Sequence, residues 1–227
     1  MFWRYGKRAG SVPRYVPALG FAWLTPLYDP VLRWTTRERR FKSELLDQAA
    51  VASGHRVLDL GCGTGTLAIW LKRNQPLARV SGLDVDSDIL ARARRKASES
   101  GLAVPFVRGL SHELPYADRS FDRVLSTLFF HHLPRADKLR TLVEIHRVLR
   151  PGGELHLVDW GTPSGRRARL LFYSIQLLDG FETTQLHVRG ELVQLMRSAG
   201  FGTLSEPGKL DTVYGTLRFH LARKARA

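Results

Sequence analysis

Val57-Leu58-Asp59-Leu60-Gly61-Cys62-Gly63-Thr64-Gly65 reads as a short buried strand, an acid near its carboxyl end, a glycine-rich turn, and then a helix beginning at Thr66. Arg56 to Leu60 carries the apolar run of a strand packed on both faces. Gly61, Gly63 and Gly65 let the backbone turn sharply and approach a ligand closely, which a Cβ would forbid. The helix predicted over Thr66 to Arg73 points its amino-terminal amides back at that ligand.

Glycine spacing alone leaves the ligand open. The nicotinamide fingerprint G-x-G-x-x-G fails here because its third glycine falls on Thr66. Asp59 sharpens the choice. A carboxylate just before the turn repels an anionic pyrophosphate and welcomes a ligand that carries an ammonium group and no phosphate. S-adenosylmethionine is such a ligand. The strand, Asp59 and the G-x-G-x-G turn resemble the first motif of the class I S-adenosylmethionine-dependent methyltransferases.

The core continues the resemblance. Arg79 to Leu83 reads as a second strand, ending in Gly82-Leu83-Asp84-Val85-Asp86. An acid there, about 20 residues beyond the turn, is placed to accept hydrogen bonds from ribose hydroxyls. In the family that acid matches Asp84. Leu114-Pro115, Ser120-Phe121-Asp122 and Arg147-Val148-Leu149-Arg150-Pro151-Gly152-Gly153 follow in the family's order and look like its small-molecule and quinone-type branch. The resemblance is strong from Arg56 to Trp160 and weak on the flanks. It implies a doubly wound, seven-stranded, mostly parallel α/β sheet with an antiparallel carboxyl-terminal hairpin strand, and S-adenosylmethionine as cofactor. The cofactor residues it implies are Tyr28, Asp59, Gly61, Cys62, Gly63, Thr64, Gly65, Asp84, Val85, Leu110, Ser111 and Ser126. The sequence departs from the family at Leu110, where many relatives carry an acid for the adenine amino group. Adenine contacts then fall to backbone around Leu110 and Ser111, or to His112.

Composition narrows the chemistry. The only cysteine, Cys62, lies in the glycine turn. This leaves no intrachain disulfide and no cysteine triad for an iron–sulfur cluster, and so no radical S-adenosylmethionine chemistry. Cysteine-mediated cytosine methylation is disfavoured because Cys62 is expected to face the cofactor. Strand four, Phe121 to Ser126, leads into Ser126-Thr127-Leu128-Phe129. The amino-methylating nucleic-acid enzymes carry an Asp/Asn-Pro-Pro-aromatic signature at this point. Phe129-Phe130-His131-His132-Leu133-Pro134 follows. His131 is a candidate general base near the site, and the alternative is a structural histidine packing the loop on the next helix. Adjacent histidines are poor metal ligands, and no carboxylate stands nearby at ligand spacing, so no metal is expected.

The flanks carry the charge. Residues 1–56 hold ten Lys/Arg against four acids, residues 57–159 fifteen against twelve, and residues 160–227 ten against five. The net charge is +14. A basic rim suits an anionic membrane surface, a nucleic acid or an acidic small molecule, and it also suits a merely soluble basic surface. Val16 to Tyr28 is apolar but short and broken by Pro17 and Pro26, with neither the length of a span nor a signal-cleavage site, so a cytoplasmic location, peripheral to the membrane at most, is expected. Tyr28-Asp29 resembles the pair that family members carry in the segment closing over the cofactor, which makes Tyr28 a second catalytic candidate.

The spacing predicts helices over Asp29–Ala50, Ser87–Ser98 with an Asp86 or Ser87 cap, Asp137–Leu149, Ser164–Leu178 and Val188–Ala199. It predicts strands over Val104–Arg108 and Glu154–Asp159, and a last pair, Thr203–Ser205 and Thr212–Leu221, joined at Glu206-Pro207-Gly208. One methyltransferase domain is expected over 1–227. Within it, 1–50 forms a lid and helix, 51–160 the cofactor core, 161–187 a substrate cap, and 188–227 a helix and edge hairpin. Three functions fit: methylation of a small or lipophilic acceptor at O, N or C; methylation of RNA or protein using the basic flanks; or cofactor binding without catalysis. The aromatic amino terminus and the capping helix favour the first, and no RNA-binding module is recognisable.

Overall fold

The computed structural model describes residues 37–226. Tyr28, and the lid expected around it, lie outside the described residues. Helix α1 (Glu38–Ala49) buries Phe41, Leu45 and Ala49 at helical spacing. After it come β1 (Arg56–Leu60), α2 (Thr66–Asn74), β2 (Arg79–Asp84), α3 (Ser87–Glu99) and β3 (Phe106–Arg108). Then follow β4 (Phe121–Thr127), a 3₁₀ turn (Phe130–His132), α4 (Arg135–Val148) and β5 (Leu149–Trp160). The chain closes with α5 (Arg166–Asp179), α6 (Phe181–Val188), α7 (Leu192–Ser198), β6 (Thr203–Thr212) and β7 (Gly215–Arg223).

The strands form one seven-stranded sheet in the order β3-β2-β1-β4-β5-β7-β6. The first five are parallel. β7 runs antiparallel to β5, and β6 antiparallel to β7. Strand order reverses between β1 and β4, so a crevice opens at their carboxyl ends. Side chains alternate along β1, which places Val57 in the core cluster with α1, α2 and α3, and Leu58 and Leu60 in the cluster with α4 and α7. Asp86 caps α3, accepting from the amides of Asp88 (2.8 Å) and Ile89 (3.1 Å).

Several boundaries differ from expectation. The helix expected over Val188–Ala199 is two, because Arg189-Gly190-Glu191 interrupts it and Gly190 takes φ +70°. Its amino-terminal half starts at Phe181, a helix the spacing did not announce. The hairpin turn is not at Glu206-Pro207-Gly208. β6 runs through that stretch with a register shift between Ser205 and Gly208, and the chain turns between Thr212 and Gly215. Proline has no amide to give, yet an outermost strand at a bulge does not need one. Pro151-Gly152-Gly153 likewise does not precede β5 but lies inside it, as an irregularity in the pairing with β4. β3 starts at Phe106, two residues later than expected.

Candidate active site

The glycine turn hangs from β2. The Gly61 and Cys62 amides both donate to the Leu83 carbonyl, at 2.9 and 3.0 Å. The Gly63 amide donates to Asp84 Oδ2 (2.9 Å), and the Gly65 amide to the Cys62 carbonyl (2.9 Å). Four turn amides are thus spent inside the protein. A pyrophosphate cradle needs such amides aimed outward, so this turn is built for another ligand. Gly61, Gly63 and Gly65 all have positive φ (68°, 52° and 72°). A Cβ on Gly61 would meet the Phe129 ring at 2.4 Å, and one on Gly65 the Phe106 ring at 2.6 Å. At Gly63 a Cβ would meet nothing within 4 Å, so the turn is open there.

Asp59 shares a face with Val57 and therefore points at α2. It is 2 % exposed, and its Oδ2 accepts from the Ala68 amide (3.1 Å). Gly65 has no side chain with which to cap α2, and Asp59 supplies the missing acceptor. Burial drives its carboxyl up to about 7, against the pull of Lys42 and the Ala68 amide. Asp84, at the end of β2, is half-buried. Its Oδ1 accepts from the Asp86 amide (3.1 Å) while Oδ2 is held by Gly63. Burial raises its pKa and those amides oppose the rise. Each oxygen takes one amide hydrogen bond, and a carboxylate oxygen can accept a second.

Other expected residues do different work. Cys62 was expected to face the cofactor; instead its thiol is buried, with Sγ 2.9 Å from where a Gly82 Cβ would stand. Burial raises its pKa, which keeps it an inert thiol. The Cys62 side chain is thus turned back onto β2. Ser126 is fully buried and donates to the Leu60 carbonyl (2.9 Å), pinning β4 to β1. Ser111 is buried against Thr141, Oγ to Oγ1 2.8 Å, and Leu110 bridges to Glu113. The Ser111 hydroxyl is thus engaged within the protein. The Thr64 and Thr66 hydroxyls lie 3.5 Å apart, and Lys96 Nζ donates to Thr66 (2.6 Å). Val85 follows Asp84, and its carbonyl accepts from Arg108 (3.1 Å).

At the neighbouring ends of β4 and β5 lies a buried imidazole cluster. His131 is 3 % exposed, and its Nδ1 donates to Asp159 Oδ1 at 2.6 Å. Asp159 also accepts from the His131 amide (3.2 Å) and the Trp160 amide (2.7 Å). Burial alone would raise its pKa, but the His131 and His187 rings and these donors hold it below the usual carboxylate range. The sequence showed no acid at ligand spacing from His131, and the sheet brings one from the next strand. His187, from α6, donates Nδ1 to the Trp160 carbonyl (2.8 Å), and its Nε2 is buried with no hydrogen-bond partner. Burial takes His187 down to about 4 despite Asp159. Lys138 Nζ donates to the carbonyls of Leu133 and Thr183, and burial lowers it to about 8. Trp160 stacks edge-on with Phe172 of α5, which closes the wall on the apolar side. Asp159 at a strand's carboxyl end was a legible signal; His187 had none.

A family model described as a methyltransferase domain matches residues 57–153. The chain is 32% identical over 203 residues to a demethylmenaquinone methyltransferase of Deinococcus radiodurans, covering 81% of this chain and 83% of that one. It is 37% identical over 145 residues to the Thermus thermophilus protein of the same name, covering 63% of this chain and 65% of that one. A solved S-adenosylmethionine-dependent methyltransferase from Methanosarcina mazei superposes with a TM-score of 0.65 at 23% identity, over 80% of this chain and 98% of that one. A glycine turn with its amides turned inward, an aspartate pinned at the end of β2 and relatives matched across the core lead to one conclusion: this chain belongs to the S-adenosylmethionine-dependent methyltransferases.

Proposed function

We propose that this enzyme methylates a small, lipophilic acceptor at an atom that sheds a proton. The observation that carries the reading is the buried His131–Asp159 pair, which joins the 3₁₀ turn to the end of β5 beside Trp160 and Phe172. Relatives named demethylmenaquinone methyltransferase support a small, lipophilic, quinone-type acceptor class.

S-adenosylmethionine supplies the activated methyl group. Asp84 takes the ribose hydroxyls, and backbone of Gly61 to Gly65, with Val85, Leu110 and Ser111, shapes the rest of the cofactor pocket. Asp59 fixes α2 beneath the turn. His131 Nε2 takes the acceptor's proton, and Asp159 stabilises the imidazolium that results. Holding the acceptor in line with the methyl group supplies several kcal/mol of barrier reduction, order of magnitude, and the aromatic wall keeps water out. Residues 161–187 serve as the substrate cap.

Titration with S-adenosylhomocysteine, followed by a methyl-transfer screen over hydroxylated quinone precursors, fatty acids, RNA and protein, tests this. Turnover confined to hydroxylated lipophilic acceptors is the expected result. Turnover confined to RNA or protein, or cofactor binding with no turnover in any class, would reject the proposal.

A further inference from the structure

The cap helix α5 has an outer face that its own fold does not use. Phe172 and Gln176 are buried against the body of the protein. On the other side Leu170 is 70% exposed and Tyr173 41%, and Phe181 of α6, whose ring lies 6.4 Å from that of Tyr173, is 48% exposed. Large apolar side chains standing singly in water need no explanation, but a contiguous group of them does. Leu170 and Tyr173 border a hollow of about 510 Å³ between α5 and the loop after β5, which Thr162, Pro163, Arg166 and Arg169 also line.

The charges on this face are placed against their own helix. Arg166, Arg167 and Arg169 occupy the first turn of α5, with no acid there and no base in the last turn. A helix amino terminus carries positive potential and is stabilised by anions, so three cations there raise the local energy. Arg169 is partly excused, since its guanidinium lies 4.6 Å over the Tyr173 ring and bonds Gln176 (2.8 Å). Arg166 and Arg167 are exposed. An arrangement that costs energy in water and sets basic side chains beside protruding apolar ones gains from a surface that is anionic on top and apolar beneath.

We propose that the outer face of α5, with Phe181 beside it, docks on an anionic phospholipid bilayer. Leu170, Tyr173 and Phe181 enter the headgroup boundary, and Arg166 and Arg167 meet lipid phosphates. The inner face of the same helix carries Phe172 against Trp160, so docking sets the acceptor wall next to the bilayer. Its use rests on the lipophilic acceptor proposed above: such a molecule would pass from the membrane to the site under the cap without crossing water. Among the described residues no helix is long and apolar enough to cross a membrane, so attachment at the surface is the mode α5 allows.

The test is co-sedimentation of the full chain with vesicles of phosphatidylglycerol and phosphatidylcholine, compared with phosphatidylcholine alone. The expected result is binding to the anionic vesicles at low salt, release as salt rises, and little binding to neutral ones. Arg166→Gln with Arg167→Gln should weaken partitioning about thirtyfold, from the contribution of each basic residue near an anionic surface. Leu170→Ser with Phe181→Ser should weaken it while leaving the salt dependence in place. Unchanged calorimetric affinity for S-adenosylhomocysteine certifies that each variant is folded. Partitioning equal to the unmodified protein in both double variants overturns the proposal and assigns any vesicle binding to another basic part of the chain. Equal binding to neutral and anionic vesicles, or none to either, overturns it as well. No acceptor enters this measurement. A chain that docks through α5 yet methylates only water-soluble acceptors therefore refutes the acceptor reading and leaves the docking intact.

Discussion

Asp59 faces α2 because side chains alternate along β1, and this makes it both a cap and a pH-sensitive group. Its folded pKa of about 7 lies above the ordinary aspartate value of 3.8. Between those values the folded protein keeps a proton that the unfolded chain releases, so stability falls as pH rises through that window and levels off above it. Asp59→Asn keeps an acceptor for the Ala68 amide and removes the titration. Its melting temperature, relative to the unmodified protein without cofactor, should therefore climb from pH 4 to pH 7; a flat difference across that range contradicts the assignment. Asp84→Asn preserves an acceptor for Gly63 but loses a charged partner for the ribose diol. Calorimetry should find S-adenosylhomocysteine bound more weakly by about 2 kcal/mol. Asp159→Asn bears on the proton acceptor. Methyl transfer should slow by on the order of 10² or more, with cofactor affinity unchanged and the rising limb of the pH–rate profile shifted. Unaltered turnover would show that His131 acts only in packing.

At the level of elements, Gly63 and Gly65 stand two residues apart in one turn and do different jobs. Both have positive φ, but a Cβ on Gly65 runs into Phe106 while one on Gly63 enters open space. Gly65→Ala should cost the cofactor-free protein about 1–3 kcal/mol, from strain and overpacking together, visible in denaturant unfolding. Gly63→Ala should cost about 1–2 kcal/mol from backbone alone, yet lose more in S-adenosylhomocysteine affinity than in stability. Equal losses in both variants and both measurements would mean that the turn is not divided in this way. The same reasoning explains the misplaced hairpin. Glu206-Pro207-Gly208 has turn composition, but composition does not say whether a strand is outermost, and only there can a proline sit within a ladder.

For the molecule as a whole, the sheet is stitched at the end opposite the site. Glu154 of β5 receives Arg123 of β4 (3.1 Å), Arg223 of β7, and His156 Nε2 (3.2 Å), whose Nδ1 in turn accepts from Gln48 of α1 (3.0 Å). One carboxylate thus joins residues spread from Gln48 to Arg223. The His156 bond, against the cost of burial, and the two arginines lower its pKa to about 2. The stability it contributes is present above the ordinary carboxylate range and lost as pH falls toward 2. Glu154→Ala should destabilise the protein by about 1–3 kcal/mol, because it takes the acceptor from the part-buried Arg123 guanidinium and the buried His156 Nε2. Thermal melts at pH 7 check this, and a drop of less than about 1 kcal/mol would mean that solvent already serves these arginines.

The sequence alone determined the parallel core and the cofactor turn. The strand-acid-glycine run, the second acid at Asp84 and the alternation of apolar strands with amphipathic helices are local patterns, each set by backbone geometry within a few residues. It also determined that Asp84 ends its strand, since strand ends carry ligand chemistry in this topology. Only the tertiary structure decided which polar groups are spent within the protein. Cys62 turns inward to Gly82, Ser126 is tied to Leu60, and Asp59 is committed to α2. Only the tertiary structure, too, brought Asp159 and His187 to His131, across 28 and 56 residues of chain. Those pairings depend on parallel strand register and on the path of the cap over the sheet. Long-range geometry of that kind leaves no periodic trace in the residues that share it.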